Sequence, residues 1–165
     1  MDHTRRISRL ISLLHQRPHA TALLRGSEAY PGLQGRVDFY QTRHGVWVAA
    51  EIQGLPFAEE SCEKRVFGFH IHSGTSCSGT EADPFADALT HYNPQNCPHP
   101  AHAGDLPPLF GCGNYACQLV LTDRFTVREI IGRTVIIHSQ PDDFHTQPSG
   151  NSGQKIACGV IQGCC

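Results

Sequence analysis

Charge is scarce in this chain. Asp, Glu, Lys and Arg together make up 17% of its 165 residues, and 13 basic side chains against 15 acidic ones leave a formal net charge of -2. So sparse and balanced a set excludes a protein built to neutralise a nucleic-acid backbone. It also leaves a helical bundle too few charged positions to cover its outer faces. Long apolar runs are missing too: nothing approaches the roughly 20 apolar residues of a membrane-spanning helix, so no membrane span is expected. Arg9 interrupts the one short apolar stretch near the N-terminus, so no secretion signal is read there. A cytoplasmic location is the default expectation. An extracytoplasmic one stays open, because disulfides persist in oxidising compartments and the chain has 8 cysteines.

What the chain does have is 16 glycines, 11 prolines and 11 histidines, a composition that favours a loop-rich all-β domain. Ile7, Leu10, Ile11 and Leu14 fall at i, i+3, i+4 and i+7, the single stripe of a short helix that Pro18 ends. This predicts an N-terminal helical extension over residues 1–19, docked on its own domain or a partner. A basic amphipathic targeting or membrane-surface helix is the alternative, against which Asp2 counts. From Ala20 the pattern changes to strands. Residues 34–41 (QGRVDFYQ) and 46–52 (VWVAAEI) are β-prone runs around an Arg43-His44-Gly45 turn. Residues 65–72, 115–121, 134–138 and 155–161 continue the series. Two stretches, 73–112 and 139–154, lack a regular pattern, and loops that long inside a compact domain usually carry function. Short strands bearing two long loops predict a Greek-key β-sandwich or flattened barrel, immunoglobulin-like in architecture, over residues 20–162. A Cys-rich tail follows at 163–165.

Histidine is the outstanding residue. In a strand, positions two apart share a face, so His70 and His72 can offer two imidazoles to one metal. Alone that pair is a weak signal. The loop that follows adds His91, His99, His102 and Asp105, however, and a later strand ends on His138. Imidazoles suit copper and zinc, and a carboxylate among imidazoles suits tetrahedral zinc.

The segments GFHIH (68–72), HYNP (91–94), HAGDLP (102–107), IGRTVIIH (131–138) and GNSGQKIACGVI (150–161) resemble, in order, the signatures of the copper/zinc superoxide dismutases. HAGDLP and the position of Cys77 resemble bacterial members. The resemblance implies copper held by His70, His72, His91 and His138. It implies zinc held by His91, His99, His102 and Asp105, with His91 shared as a bridging imidazolate. It places Asp142 as the outer carboxylate that hydrogen-bonds ligand histidines of both metals; as a residue of Pro141-Asp142-Asp143 it also reads as an ordinary turn. The implied activity is superoxide dismutation by copper redox cycling, with His91 releasing copper on reduction and carrying a proton. A non-enzymatic metal-binding protein of the same fold, for storage, delivery or sensing, is the alternative. Superoxide is then the substrate, and a homodimer and a copper-delivery partner are further expectations.

Lys155 departs from the family pattern, which has arginine there. It keeps a positive charge that could draw superoxide but lacks the guanidinium fork, so reduced activity with steep ionic-strength dependence is expected. The other reading is a lysine snorkelling at a strand start. Cys77 and Cys158 match the family's intrachain disulfide. Cys62, Cys97, Cys112, Cys117, Cys164 and Cys165 have no family assignment; Cys112 with Cys117 and the terminal pair Cys164-Cys165 could bridge or bind cuprous ion during loading, or stay free thiols.

Overall fold

A computed structural model describes residue 12 and residues 15–57 and 65–164. The expected N-terminal helix lies outside the described residues, as do Cys62 and Cys165. Strands β1 (Ala20–Gly26), β2 (Gln34–Thr42), β3 (Gly45–Gln53), β5 (Phe69–His72), β7 (Tyr115–Thr122), β8 (Thr134–His138) and β9 (Lys155–Gly163) form one antiparallel sheet. Its order is β5-β8-β9-β1-β2-β3-β7. Two short strands, β4 (Val66–Phe67) and β6 (Leu109–Phe110), pair separately. One helical turn, α1 (Val127–Ile130), begins with a capping box between Thr126 and Glu129.

Strand β3 shows why this sheet has an inside. Val46, Val48, Ala50 and Ile52 are buried while Glu51 and Gln53 face water, the period of two that a one-sided strand requires. The core also shows that the sheet curls. Val46 and Val48 lie near one end of the strand order, and Phe69, Ile71, Val135 and Ile137 at the other, yet all belong to one apolar cluster. Elements so far apart across a flat sheet could not meet. The result is the expected β-sandwich or flattened barrel.

β5 and β8 are buried along their whole length. Phe69, Ile71, Val135 and Ile137 face the main core, whereas Ile136 packs with Phe85, Ala88 and Cys158 beneath the first long loop. His70 lies opposite Ile136, and His72 opposite Thr134. Strand alternation therefore sends His70, His72 and His138 to the outer face, under the loops. The Cys77–Cys158 disulfide ties that loop to β9 across 81 residues of sequence. Among the described residues Cys97, Cys112, Cys117 and Cys164 are free thiols, so the Cys112–Cys117 bridge considered above does not form.

Candidate metal centre

Three backbone hydrogen bonds bring the loop histidines to the strand histidines. Ile71 N–H donates to Gly104 O, Tyr92 N–H to Ile71 O, and Gly104 N–H to Tyr92 O, at 2.8–2.9 Å. Isolated bridges pair His70 with Asp105 and His72 with His91. Glycine is needed at 104 because a Cβ there would stand 2.2 Å from Ile71 O. Arg124 fixes the loop from its far side, its Nη1 donating to the carbonyls of Pro100, His102 and Asp105 at 3.1–3.3 Å. Gln147 grips His99 by accepting from its backbone N–H (3.0 Å) and donating to its carbonyl (2.7 Å).

Two groups of donors result. His70, His72, His91 and His138 each offer a nitrogen within 4.8 Å of the others, and His91, His99, His102 and Asp105 do the same; all are buried. His91 is common to both. Every residue that the sequence resemblance singled out as a ligand is thus brought into one of two adjoining clusters.

The hydrogen bonds say which nitrogens are available. Burial alone would raise the Asp142 carboxyl, but hydrogen bonds from His70, the Phe144 N–H and His99 hold it well below the usual carboxylate range. An ionised carboxylate only accepts. His70 Nε2 (2.8 Å) and His99 Nε2 (2.9 Å) must therefore carry the protons they share with Asp142. His70 Nδ1 is then a bare lone pair, and both His70 Nδ1 and His99 Nδ1 are buried without a hydrogen-bond partner. His72 Nδ1 donates to Leu89 O (2.9 Å) and His138 Nδ1 to Gly153 O (3.3 Å), so their Nε2 atoms are lone pairs as well.

These donor atoms face one another. His72 Nε2 stands 3.2 Å from His138 Nε2 with no proton available between them, and His99 Nδ1 stands 3.0 Å from Asp105 Oδ2. Protonation is not the remedy. Burial, reinforced by neighbouring imidazoles, lowers His70 to about 4 and His138 to about 3, and lowers His72 well below its ordinary value. His102 is lowered by burial too. Asp105 stays ionised: burial would raise it, but the hydrogen bond from His91 Nδ1 (2.7 Å) outweighs that. Converging, unprotonated, buried donors are what a cation resolves. The set of four imidazoles and the set of three imidazoles with one carboxylate fit copper and zinc respectively.

Over the first cluster opens a cleft of about 730 Å³ lined by His72, His91 and His138 together with Lys155, Glu81 and Asp83. Lys155 lies directly across from His138 in the β8–β9 pairing. Its ammonium is not free: Nζ reaches Asp83 Oδ2 at 2.8 Å and Phe85 O at 3.0 Å.

Sequence reading did not find Asp83, Arg124, Gln147 or Gly150. The first three sit in irregular loops and act through partners 19–72 residues away, and no spacing rule signals such contacts. Gly150 stood within a quoted motif, but its role appears only in three dimensions. It has φ +65°, and a Cβ there would lie 2.0 Å from Asp142 Oδ1 and 2.7 Å from His99 Nε2.

The family model described as copper/zinc superoxide dismutase (SODC) matches residues 33–161. The chain is 33% identical over 144 residues to a Cu-Zn superoxide dismutase 2 of Aquifex aeolicus, covering 78% of each chain. It is 32% identical over 142 residues to the Cu-Zn superoxide dismutase of Photobacterium leiognathi, again covering 78% of each. That of Legionella pneumophila is 32% identical over 138 residues, covering 78% of this chain and 77% of the relative.

Proposed function

The chain belongs to the copper/zinc superoxide dismutase family, and from that premise we propose that its outer-face clusters hold the two metals of a working dismutase. It is an oxidoreductase acting on superoxide, with copper and zinc as cofactors. In this reading His70, His72, His91 and His138 hold copper, while His91, His99, His102 and Asp105 hold zinc. The opposed lone pairs of His72 Nε2 and His138 Nε2, 3.2 Å apart and buried, carry the reading.

Copper, when bound, supplies one-electron exchange, so that one superoxide is oxidised to dioxygen and another is reduced, with two protons, to hydrogen peroxide. The chain's own residues do the rest. Asp142 fixes the tautomers of His70 and His99 at once, which turns one nitrogen of each toward its metal and couples the two clusters through a single carboxylate. His91 presents Nδ1 to the Asp105 side and Nε2 to the other, so Nε2 is the atom at which it can hold a proton for the product. The cleft above His72, His91 and His138 admits a small anion. So buried a cluster is also loaded through that cleft, a step at which a copper-delivery partner would act. The domain is read as residues 20–162, and its Cys77–Cys158 disulfide suits a compartment oxidising enough to keep it.

Superoxide decay tests the function. Protein loaded with copper and zinc should accelerate decay in a cyanide-sensitive manner, and protein loaded with zinc alone should not. Copper retained without dismutation would instead indicate a binding protein.

Gly150→Ala tests the carboxylate bridge. The new Cβ would overlap Asp142, which is held by three hydrogen bonds and cannot move aside without releasing a ligand histidine. Zinc affinity should fall by ~10–100-fold, the usual cost of losing an outer partner, as read by competition with a chromophoric chelator. Unchanged affinity would remove Asp142 from this role.

A further inference from the structure

The cleft over the four-histidine cluster is lined by two carboxylates, Glu81 and Asp83, and by one ammonium, Lys155. Outside the floor histidines, the side chains of the cleft therefore sum to a formal charge of minus one, not the plus one that a lone lysine would supply.

Lys155 is also immobilised. Its side chain is 15% exposed, against 47% for Asp83, and Nζ is shared between Asp83 Oδ2 and Phe85 O. Asp83 is itself held in place. Its Oδ1 accepts the Phe85 N–H at 3.3 Å, its backbone N–H donates to Thr80 Oγ1 at 3.1 Å, and its carbonyl accepts from Thr80 and Ala86. A turn of the first long loop thus forms a receptor for the ammonium, with the carboxylate presented in a fixed direction. The disulfide and the Phe85–Ala88–Ile136–Cys158 packing anchor the same loop to the sheet on either side of that turn.

We propose that Asp83 is a specificity-determining residue that masks Lys155, so that the Asp83–Lys155 pair, with Glu81 at the rim, sets a low anion affinity for the metal cleft. This rests on the reading of the cleft as superoxide's path to copper. A free lysine would draw superoxide in, and its effect would weaken as salt screens it. A masked lysine beside a second carboxylate largely cancels that pull. Little side-chain attraction is then left for salt to screen, so dismutation by the native protein falls less steeply with ionic strength than it would with a free ammonium.

Charge count then orders the variants. Asp83→Asn keeps the acceptor for the Phe85 N–H and removes the negative charge, which brings the sum of the three side chains to zero. Asp83→Asn with Glu81→Gln brings that sum to plus one. Lys155→Met takes it to minus two. Asp83→Glu, which keeps the charge, should behave as native protein.

The experiment uses copper- and zinc-loaded full-length protein and two readouts: kcat/KM for superoxide between low and moderate ionic strength, and azide affinity from its charge-transfer absorption. At low salt Asp83→Asn should bind azide ~3–10-fold more tightly and raise kcat/KM by a similar factor, the lower end of what focused charge supplies. The double variant should lose rate more steeply with rising salt than the native protein, and Lys155→Met should abolish the gain from Asp83→Asn. A merely structural role for Asp83 predicts losses, not gains. Azide affinity and salt slope unchanged in both Asp83→Asn and the double variant would overturn the proposal. Tighter azide binding in protein that does not dismutate superoxide would uphold the masking and refute the assigned function.

Discussion

His91→Ala is expected to lose both metals and all dismutation, whereas His102→Ala should weaken zinc and His138→Ala copper. His91 is the only side chain common to the two donor groups. Its ring centroid lies 3.9 Å from that of His70 on one side, and 5.7 and 5.6 Å from those of His99 and His102 on the other. Nδ1 points to Asp105, and Nε2 is buried without a hydrogen-bond partner. Removing an outer partner of a ligand costs ~10–100-fold in metal affinity, so removing the ligand itself should exceed ~100-fold at each site. Parallel chelator competitions for copper and zinc on the three variants check this. Loss of only one metal from His91→Ala would mean that the ring does not serve both clusters.

Breaking the Cys77–Cys158 disulfide, by Cys77→Ser with Cys158→Ser, should lower the stability of the metal-free protein by ~4–5 kcal/mol, the chain-entropy value for a loop of 81 residues. Against the ~5–15 kcal/mol that usually holds a domain together, this is about a quarter or more of the total. The loss is not confined to folding. The loop it anchors carries Leu89, whose carbonyl fixes the tautomer of His72, and the Asp83 turn. Copper affinity should therefore fall together with stability. Denaturant unfolding of the metal-free oxidised and serine forms, followed by copper competition, measures both. A stability difference below ~1 kcal/mol would show that the Phe85, Ala88 and Ile136 packing suffices without the bond.

Much of this architecture could be read directly from residues. Alternation in VWVAAEI and QGRVDFYQ located β3 and β2 to within a residue or two, because those strands have one wet face. The spacing of His70 and His72 fixed their common face for the same reason. Helix α1 carried a legible capping signal, Thr126 with Glu129, that the surrounding strand pattern obscured. The run at 65–72, read as one strand, divides at Gly68 into β4 and β5, which join different sheets, and β6 lies in a stretch read as irregular because two residues show no period.

In the site, the candidate ligands were legible because motif and chemistry agree on them. His99, bracketed by Pro98 and Pro100, is buried in the second cluster beside Asp105. What stayed hidden was the control of these ligands. The clamp of Lys155 by Asp83 joins residues 72 apart, and the clearance of Asp142 depends on a missing Cβ at Gly150. Both depend on how two irregular loops meet over the sheet, which no local pattern encodes. Lys155 itself was identified as the departure from family pattern, but its partner Asp83 was invisible.

The most direct test of the account is the rate of superoxide decay measured by stopped flow across a copper titration of the zinc-loaded protein. The rate should climb in proportion to copper up to one equivalent per chain and then level, with His138→Ala protein remaining at the baseline. One equivalent of copper bound tightly with no acceleration of decay would contradict it.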